Sequence, residues 1–179
     1  MGSLNTVKTN LIERVKYYNN FYQYKISSRN IKHTIAPDFE SITVKINNKI
    51  ITILFWVSLG YEISCNFFSG RYHASCKVFL ISYDAINRNS FNNMIKLYED
   101  IKSRTNKAKF ILIRNKYDLE INELSNIKDY VSEEEALEFA DKNNTEFVHT
   151  SSLEKYGNGI KELFTLILNH ILINEENKE

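Results

Sequence analysis

The chain has 179 residues, of which 43% are apolar and 25% are charged, and its formal net charge is +1. That length accommodates one compact domain with a buried core, and the near-balance of charge argues against nucleic acid or an anionic membrane as the main partner. No apolar run reaches the ~18 residues that a membrane span requires. The two cysteines, Cys65 and Cys76, are too few for a disulfide framework or a zinc site, which favours reduced thiols in a cytoplasmic protein.

The spacing of the apolar residues predicts an alternation of helices and strands. Leu11, Ile12 and Val15 have the spacing of a helix face, whereas residues 41–46 alternate as a half-buried strand does. In chain order, the predicted elements are a helix near residues 8–20, strands over 41–46, 50–56 and 77–83, a helix opening at Ser90, a strand from Phe110 to Asn115, a helix opening at Ser132, a short strand ending at Thr150 and a last helix over 160–171.

This alternation predicts an α/β fold in which helices cover a mostly parallel sheet. Ligands of such sheets bind at the loops that follow the carboxyl ends of the strands. The polar motifs of the second half of the chain fall in those loops. We expect a single domain over residues 1–179. Three alternatives stay open for it: a truncated chain, a part of a longer protein, or a chain whose sheet is rearranged.

The motif N-K-Y-D, over residues 115–118, directly follows a predicted strand. The carboxylate of Asp118 can accept hydrogen bonds from two neighbouring N–H groups of guanine, and adenine lacks this pair of donors, so such a site discriminates against adenine. The stem of Lys116 can cover the plane of the base, and Asn115 can connect neighbouring loops. A charged turn in a chain rich in Asn and Lys is the alternative, and the motif alone does not decide between the two.

Small polar residues follow the next predicted strand, after Thr150. Ser151, Ser152 and Leu153 would allow the backbone to approach a bound base. Serine and threonine after a strand also commonly cap a turn, so this stretch alone is a weak indication. Its position, one helix and one strand after the N-K-Y-D motif, favours a shared binding site for the two loops.

Taken in order, these motifs resemble those of the Rab-type small GTPases of the Ras superfamily. The second half contains N-K-Y-D, E-E-A-L-E-F-A, F-V-H-T-S-S and I-K-E-L-F. Residues 33–39, H-T-I-A-P-D-F, resemble the first switch of the family, and residues 56–62, W-V-S-L-G-Y-E, resemble its second switch, W-D-T-A-G-Q-E. Residues 8–12, K-T-N-L-I, resemble the end of its phosphate loop. The resemblance implies a three-layer small G-protein fold, whose mostly parallel sheet contains one antiparallel strand.

The predicted phosphate-binding part departs from the family pattern G-x-x-x-x-G-K-[ST], because Val7 stands in the place of the second glycine. The resemblance implies that Lys8 contacts phosphate and that Thr9 is a ligand of Mg²⁺. It also implies that Thr34 contacts the metal and the γ-phosphate. The exposed start of a helix is the alternative interpretation of Lys8 and Thr9.

The second switch departs from the family pattern at two positions that matter for the chemistry. Val57 replaces the aspartate that holds Mg²⁺ through its outer shell, which predicts weakened metal binding. Tyr61 replaces the glutamine that orients the attacking water, so efficient hydrolysis is not expected and no catalytic residue is assigned. Gly60 is retained, and its backbone N–H can still serve a γ-phosphate.

Two further features follow from the resemblance. Phe39 and Trp56, with Tyr72 as an approximate third, match the aromatic residues through which Rab proteins meet effectors, and aromatic residues are common anchors of interfaces. Core packing is the alternative for Trp56. The first strand of the family fold has no counterpart before residue 8, so we expect this strand to be missing from the chain.

We therefore expect a Rab-like protein that binds GDP or GTP, with Mg²⁺ weakened or absent, and that hydrolyses GTP very slowly. It would act as a switch or adaptor in membrane traffic, through protein effectors or regulators that meet its switch surfaces. It would be cytoplasmic or peripheral at endomembranes, since it has no C-terminal cysteine to lipidate. The alternatives are a pseudo-GTPase scaffold that no longer binds nucleotide and, less favoured, an unrelated α/β enzyme with coincidental motifs.

Overall fold

The computed structural model describes eight segments of the chain, and the architecture below refers to these segments alone. For residues 38, 39, 49, 57 and 173–176 it describes the backbone without the side chains. The described segments are residues 11–12, 14–15, 38–46, 49–57, 76–105, 107–116, 130–151 and 159–176.

Three strands form a parallel sheet in the order β3-β4-β5. They are Val78–Asp84 (β3), Lys109–Asn115 (β4) and Glu146–Thr150 (β5). Strand β4 lies in the middle and is buried at every position after Lys109, as expected for a parallel strand covered on both faces. The predicted strands and their parallel arrangement are therefore confirmed.

Two strands form an antiparallel hairpin, Asp38–Ile46 (β1) and Lys49–Val57 (β2). Ile46 is paired with Lys49, so the strands are joined by the two residues 47–48, which is the length of a tight hairpin connection. The ladder is longer than the sequence pattern predicts, since β1 begins three residues earlier, at Asp38, and β2 extends by one residue at each end, from Lys49 to Val57.

Three helices follow the hairpin in the described part of the chain: Arg88–Arg104 (α1), Glu133–Asn143 (α2) and Ile160–Glu176 (α3). The prediction that α1 opens at Ser90 is wrong by two residues. The side chain of Asn87 accepts a hydrogen bond from the backbone N–H of Ser90 at 3.1 Å, which makes Asn87 the N-cap. Ser132 caps α2 as predicted, because its hydroxyl accepts from the N–H of Glu135 at 3.1 Å.

The two faces of the parallel sheet contact separate apolar clusters. Along β4, Phe110 and Leu112 belong to the cluster that includes residues of α1 and α2, whereas Ile111 and Ile113 belong to the cluster that includes α3 and the hairpin. This alternation follows from the pleat of the strand. Helices thus cover both faces of the sheet, and the predicted α/β fold is confirmed.

The beginning of the chain is described only in part. Residues 11, 12, 14 and 15 are helical, and Leu11, Ile12 and Val15 are buried in the cluster that contains α3. This agrees with the helix predicted near residues 8–20. The expectation that the first family strand is missing concerns residues 1–10, which lie outside the described segments.

Candidate functional site

The carboxyl ends of the three parallel strands bring three polar residues into one row. In the strand register, Asp84 is paired with Asn115, and Asn115 is paired with Thr150. All three residues are buried. Polar groups at the carboxyl edge of a parallel sheet lie where ligands of α/β proteins bind, so this row defines the candidate site.

Asn115 occupies the middle of the row and is 0% exposed. The hydroxyl of Thr150 donates a hydrogen bond to its Oδ1 atom at 3.1 Å. Its backbone carbonyl accepts from the N–H of Ala85 at 3.0 Å. One residue therefore connects the ends of all three strands, which matches the connecting role that the sequence suggests for an asparagine at this position.

Lys116 adopts a backbone conformation that is uncommon for a residue with a side chain, with φ of 62°. Its Nζ atom lies 2.5 Å from Oδ2 of Asp84. The other carboxylate oxygen of Asp84 accepts from the N–H of Ile86 at 3.2 Å. Residues held in the left-handed region tend to occur at functional sites, and here the ion pair orients the lysine beside the row.

A close approach of two backbone segments lies next to Thr150. Gly159 has φ of +77°, and a Cβ atom added to it would stand 1.6 Å from the carbonyl oxygen of His149. Only glycine fits both constraints. Ser151, which follows Thr150, is 0% exposed. The backbone at the end of β5 is therefore held in place by the residue that precedes α3.

A buried arginine lies directly before Asn115, and the sequence reasoning did not single it out. Arg114 is 0% exposed. Its Nη2 atom donates to the hydroxyl of Tyr130 at 2.8 Å and to the carbonyl of Val131 at 3.0 Å. An arginine inside an otherwise apolar strand is the signal that could have identified it, since buried arginines are rare unless paired.

Of the predicted base-binding residues, the structure describes Asn115, Lys116 and Ser151 and brings them to the same edge of the sheet. The remaining predicted ligand-binding residues lie outside the described segments. These are Asp118, Ser152 and Leu153 for the base, Lys8, Thr9 and Gly60 for phosphate, Thr9 and Thr34 for the metal, and Tyr61 at the position of the usual glutamine.

The predicted effector surface is described in part. Trp56 lies on β2 and is 39% exposed, so core packing does not account for it. On the same face, Ile50 is 74% exposed and Leu54 is 55% exposed. The backbone of Phe39 is paired with Trp56 across the hairpin, and Tyr72 lies outside the described segments. The outer face of the hairpin therefore exposes three large apolar side chains beside polar ones such as Thr52 and Lys45.

The described segments contain neither a cluster of metal-binding side chains nor a helix that could span a membrane. Among the residues of these segments, no group of three or more His, Cys, Asp or Glu side chains could hold a metal ion. None of the helices α1, α2 and α3 is long and apolar enough to cross a membrane.

Comparison with known proteins gives a consistent result along most of the chain. A sequence model described as Ras family matches residues 1–173. The chain is 30% identical over 173 residues to the Ras-related protein Rab-11B of Dictyostelium discoideum, covering 96% of this chain and 71% of that protein.

Two further relatives are similar at the same level. The chain is 34% identical over 134 residues to the Ras-related protein Rab-4 of Dictyostelium discoideum, covering 74% of this chain and 60% of that protein. It is 29% identical over 171 residues to the Ras-related protein RABA1h of Arabidopsis thaliana, covering 95% of this chain and 71% of that protein. The chain thus spans 60% to 71% of the length of these relatives.

Proposed function

The chain belongs to the Ras family as a divergent Rab-type small GTPase, and we propose that it binds GDP or GTP at the carboxyl edge of the parallel sheet. In this proposal Asp118 recognises the paired N–H groups of guanine, and Lys116 covers the plane of the base. Asn115 holds the site together, while Ser151, Ser152 and Leu153 line it on the other side.

The observation that carries the proposal is the row of Asp84, Asn115 and Thr150 across three neighbouring strand ends. The row buries the Asn115 side chain, bonds it to Thr150 and orients Lys116 through Asp84. A solvated charged turn does not require a buried asparagine or a left-handed lysine. Both features suit a rigid support for a ligand, because prior ordering of the site lowers the entropic cost of binding.

The residues at this edge suit a purine base without any metal. Asn115, whose side chain is fixed, is followed directly by Lys116, and Asp118 lies two residues after Lys116 in the sequence. If adenine bound instead, the Asp118 carboxylate would have no hydrogen-bond partners, because adenine lacks two adjacent N–H donors. The preference for guanine over adenine would therefore depend more on this unpaired carboxylate than on the shape of the pocket.

For the phosphate and metal side, we propose that Lys8 and Thr9 hold the phosphates and that Thr9 and Thr34 hold Mg²⁺, with the backbone of Gly60 near the γ-phosphate. When bound, Mg²⁺ would neutralise charge on the phosphate oxygens. Val57 supplies no carboxylate to the outer shell of the metal, so the proposed affinity for Mg²⁺ is weak.

We further propose very slow hydrolysis, because Tyr61 stands where the family has a glutamine that orients the attacking water. The protein would then act as a long-lived switch or adaptor in membrane traffic. Its partners would be protein effectors or regulators that meet Phe39, Trp56 and Tyr72. Its location would be the cytoplasm or, through those partners, the surface of endomembranes.

The second candidate function is a pseudo-GTPase scaffold that binds partners without nucleotide. Three substitutions favour it: Val7 in the phosphate loop, and Val57 and Tyr61 in the second switch. The intact N-K-Y-D motif over residues 115–118 favours nucleotide binding instead.

Thermal unfolding with added nucleotide separates the two candidates. A ligand at 100 times its dissociation constant stabilises the folded state by about 2.7 kcal/mol. We expect excess GDP with Mg²⁺ to raise the Tm and ADP to leave it unchanged. Asp118→Ala should abolish the rise, whereas Asp141→Ala, at an exposed position of α2, should keep it.

The outcomes are distinct. A folded chain whose Tm does not respond to GDP or GTP would reject nucleotide binding and leave the scaffold function. Phosphate release above the buffer blank in a single turnover without a partner protein would contradict the proposed effect of Tyr61.

A further inference from the structure

The segment between residues 116 and 130 carries Asp118 and returns to the described fold at Tyr130. One of its ends is bonded to the last residue of β3, and the other is bonded to the first residue of the turn that follows. At one end, Lys116 is paired with Asp84 at 2.5 Å. At the other end, the N–H of Val131 donates to the carbonyl of Ala85 at 3.1 Å. The two ends of the segment are therefore attached to two consecutive residues, Asp84 and Ala85.

Arg114 strengthens the second attachment from inside the protein. Its guanidinium donates to the hydroxyl of Tyr130 and to the carbonyl of Val131 at 2.8 and 3.0 Å, and it lies 5.5 Å from the centre of the Tyr130 ring. The planar guanidinium suits this combination of two donated bonds and ring contact, which a lysine ammonium cannot reproduce.

Tyr130 is also held from the surface side. Arg88 donates to the backbone carbonyl of Tyr130 at 2.8 Å and forms an ion pair with Glu135 of α2. Arg88 is partly exposed, whereas Arg114 is fully buried. The inner contact is thus the one that water screens least.

A contribution to stability does not by itself explain a buried arginine here. Taking a charge out of water carries a large penalty, and a buried charged group replaced together with its partners by apolar residues of similar volume often leaves the protein equally stable or more stable. Arg114 lies on the strand face of Phe110 and Leu112, which pack in an apolar cluster. An apolar residue would suit those surroundings, so the arginine serves another purpose.

We propose that Arg114 is a positioning residue for guanine-nucleotide binding, because it fixes the return of the segment that carries Asp118. The inference rests on the proposed nucleotide-binding function. Fixing the two points between which a chain segment runs restricts the conformations open to it, so less conformational entropy is lost when one of its residues binds a ligand. Nucleotide would then dissociate slowly although the contact that slows it touches no part of the nucleotide.

The test compares nucleotide dissociation with stability in matched variants. Arg114→Met retains length and apolar packing but removes both donated bonds, and Tyr130→Phe removes the hydroxyl acceptor alone. The control is Arg104→Met, because Arg104 is an exposed arginine at the end of α1 that pairs with Asp100 at 2.7 Å. Dissociation is followed with a ribose-labelled fluorescent GDP, and stability is the Tm without nucleotide.

We expect Arg114→Met to speed the dissociation of labelled GDP about tenfold and Tyr130→Phe about threefold, since the first variant removes two charge-assisted bonds and the second removes one, and tenfold corresponds to about 1.4 kcal/mol. The Tm of Arg114→Met without nucleotide should fall, because the buried carbonyl of Val131 loses this donor, whereas the Tm of Tyr130→Phe should fall less. Dissociation of labelled GDP from Arg114→Met at the wild-type rate would overturn the proposal. A dissociation rate that rises in proportion to the fall in Tm in every variant, Arg104→Met included, would overturn it too.

A second measurement needs no nucleotide and separates this proposal from the proposed function. Amide hydrogen exchange of peptides covering residues 117–130 should be about tenfold faster in Arg114→Met, while exchange in residues 94–101 of α1 stays unchanged. If wild type binds no GDP, the proposed function fails, and the exchange result still decides whether Arg114 holds the segment. Unchanged exchange over residues 117–130 would overturn the positioning role.

Discussion

The parallel sheet and the hairpin bury their residues in different ways. Strand β4 is buried on both faces from Phe110 to Asn115, whereas β2 alternates, with Ile53 and Phe55 buried and Leu54 and Trp56 exposed. A sheet covered on both faces leaves only its strand ends accessible to a ligand. A hairpin that exposes large apolar side chains such as Leu54 and Trp56 on one face presents a surface that suits a protein partner.

This difference corresponds to the two proposed roles of the chain, nucleotide binding at the sheet edge and partner binding at the hairpin. At the sheet edge, the side chains of Asp84, Asn115 and Thr150 are buried and hydrogen-bonded. A substitution there should therefore affect folding and binding together. On the outer face of the hairpin, side chains contact solvent, so a substitution should leave stability nearly unchanged. The predictions below test that contrast, from the largest expected effect on stability to the smallest.

Gly159→Ala should have the largest effect, because the added Cβ would overlap the carbonyl oxygen of His149 at the end of β5. We expect the free energy of unfolding to fall by at least about 3 kcal/mol, from the overlap together with the left-handed backbone. Chemical denaturation measures this change. Asn144→Ala, at another left-handed position, is the control and should cost only about 1–2 kcal/mol. Equal losses would show that the close approach is unimportant.

Asn115→Ala removes the buried acceptor of the Thr150 hydroxyl, and we expect a loss of about 1–3 kcal/mol. Thr150→Ser keeps the hydroxyl and should cost less. In the double variant Asn115→Ala with Thr150→Val, neither polar partner remains, so the loss should be smaller than the sum of the two single losses. Strictly additive losses in urea denaturation would mean that the bond does not couple the two strands.

Asp84→Asn tests the ion pair that orients Lys116. The side chains of the pair are 9% and 27% exposed, so the expected loss of about 1–2 kcal/mol lies between the values for exposed and buried pairs. Asp100→Asn disrupts a pair with Arg104 whose side chains are 32% and 40% exposed, and it should cost at most about 0.5 kcal/mol. The prediction fails if denaturation gives the same loss for both variants.

The outer face of the hairpin should tolerate change. Leu54→Ser replaces a side chain that is 55% exposed, and we expect unfolding to change by no more than about 0.5 kcal/mol. Ile53→Ala, at the neighbouring buried position, should cost about 2–5 kcal/mol. A large loss in Leu54→Ser would remove the contrast between hairpin and sheet edge, because it would place Leu54 in the core.

The smallest effect should be seen in the chemical reactivity of the Cys76 thiol. Burial raises the pKa of the Cys76 thiol above its ordinary value, so a smaller fraction is thiolate at a given pH and alkylation should be slower than in the unfolded chain. The folded state binds this proton more tightly, so its contribution to stability is present at neutral pH and is lost as pH rises through the raised pKa. Alkylation of a Cys65→Ser variant, with and without urea, measures the difference. Equal rates would contradict the burial of the thiol.

Much of the fold could be predicted because the apolar residues repeat with the period of the structure that they form. The strand from Phe110 to Asn115, the helix capped by Ser132 and the buried face of α3 follow from local patterns alone. The sequence pattern places the start of α1 two residues too late, at Ser90. Only the hydrogen bond that the N–H of Ser90 donates to the side chain of Asn87 identifies Asn87 as the cap.

The sequence by itself determined the family, since the order of the motifs survives even where single residues have changed, and it placed Asn115 and Lys116 at a strand end. Tertiary structure alone decided that Asp84 and Thr150 share a row with Asn115, because strand register depends on pairing between residues far apart in the chain. It also decided the burial of Arg114, whose bonds to Tyr130 and Val131 join positions that local periodicity does not relate.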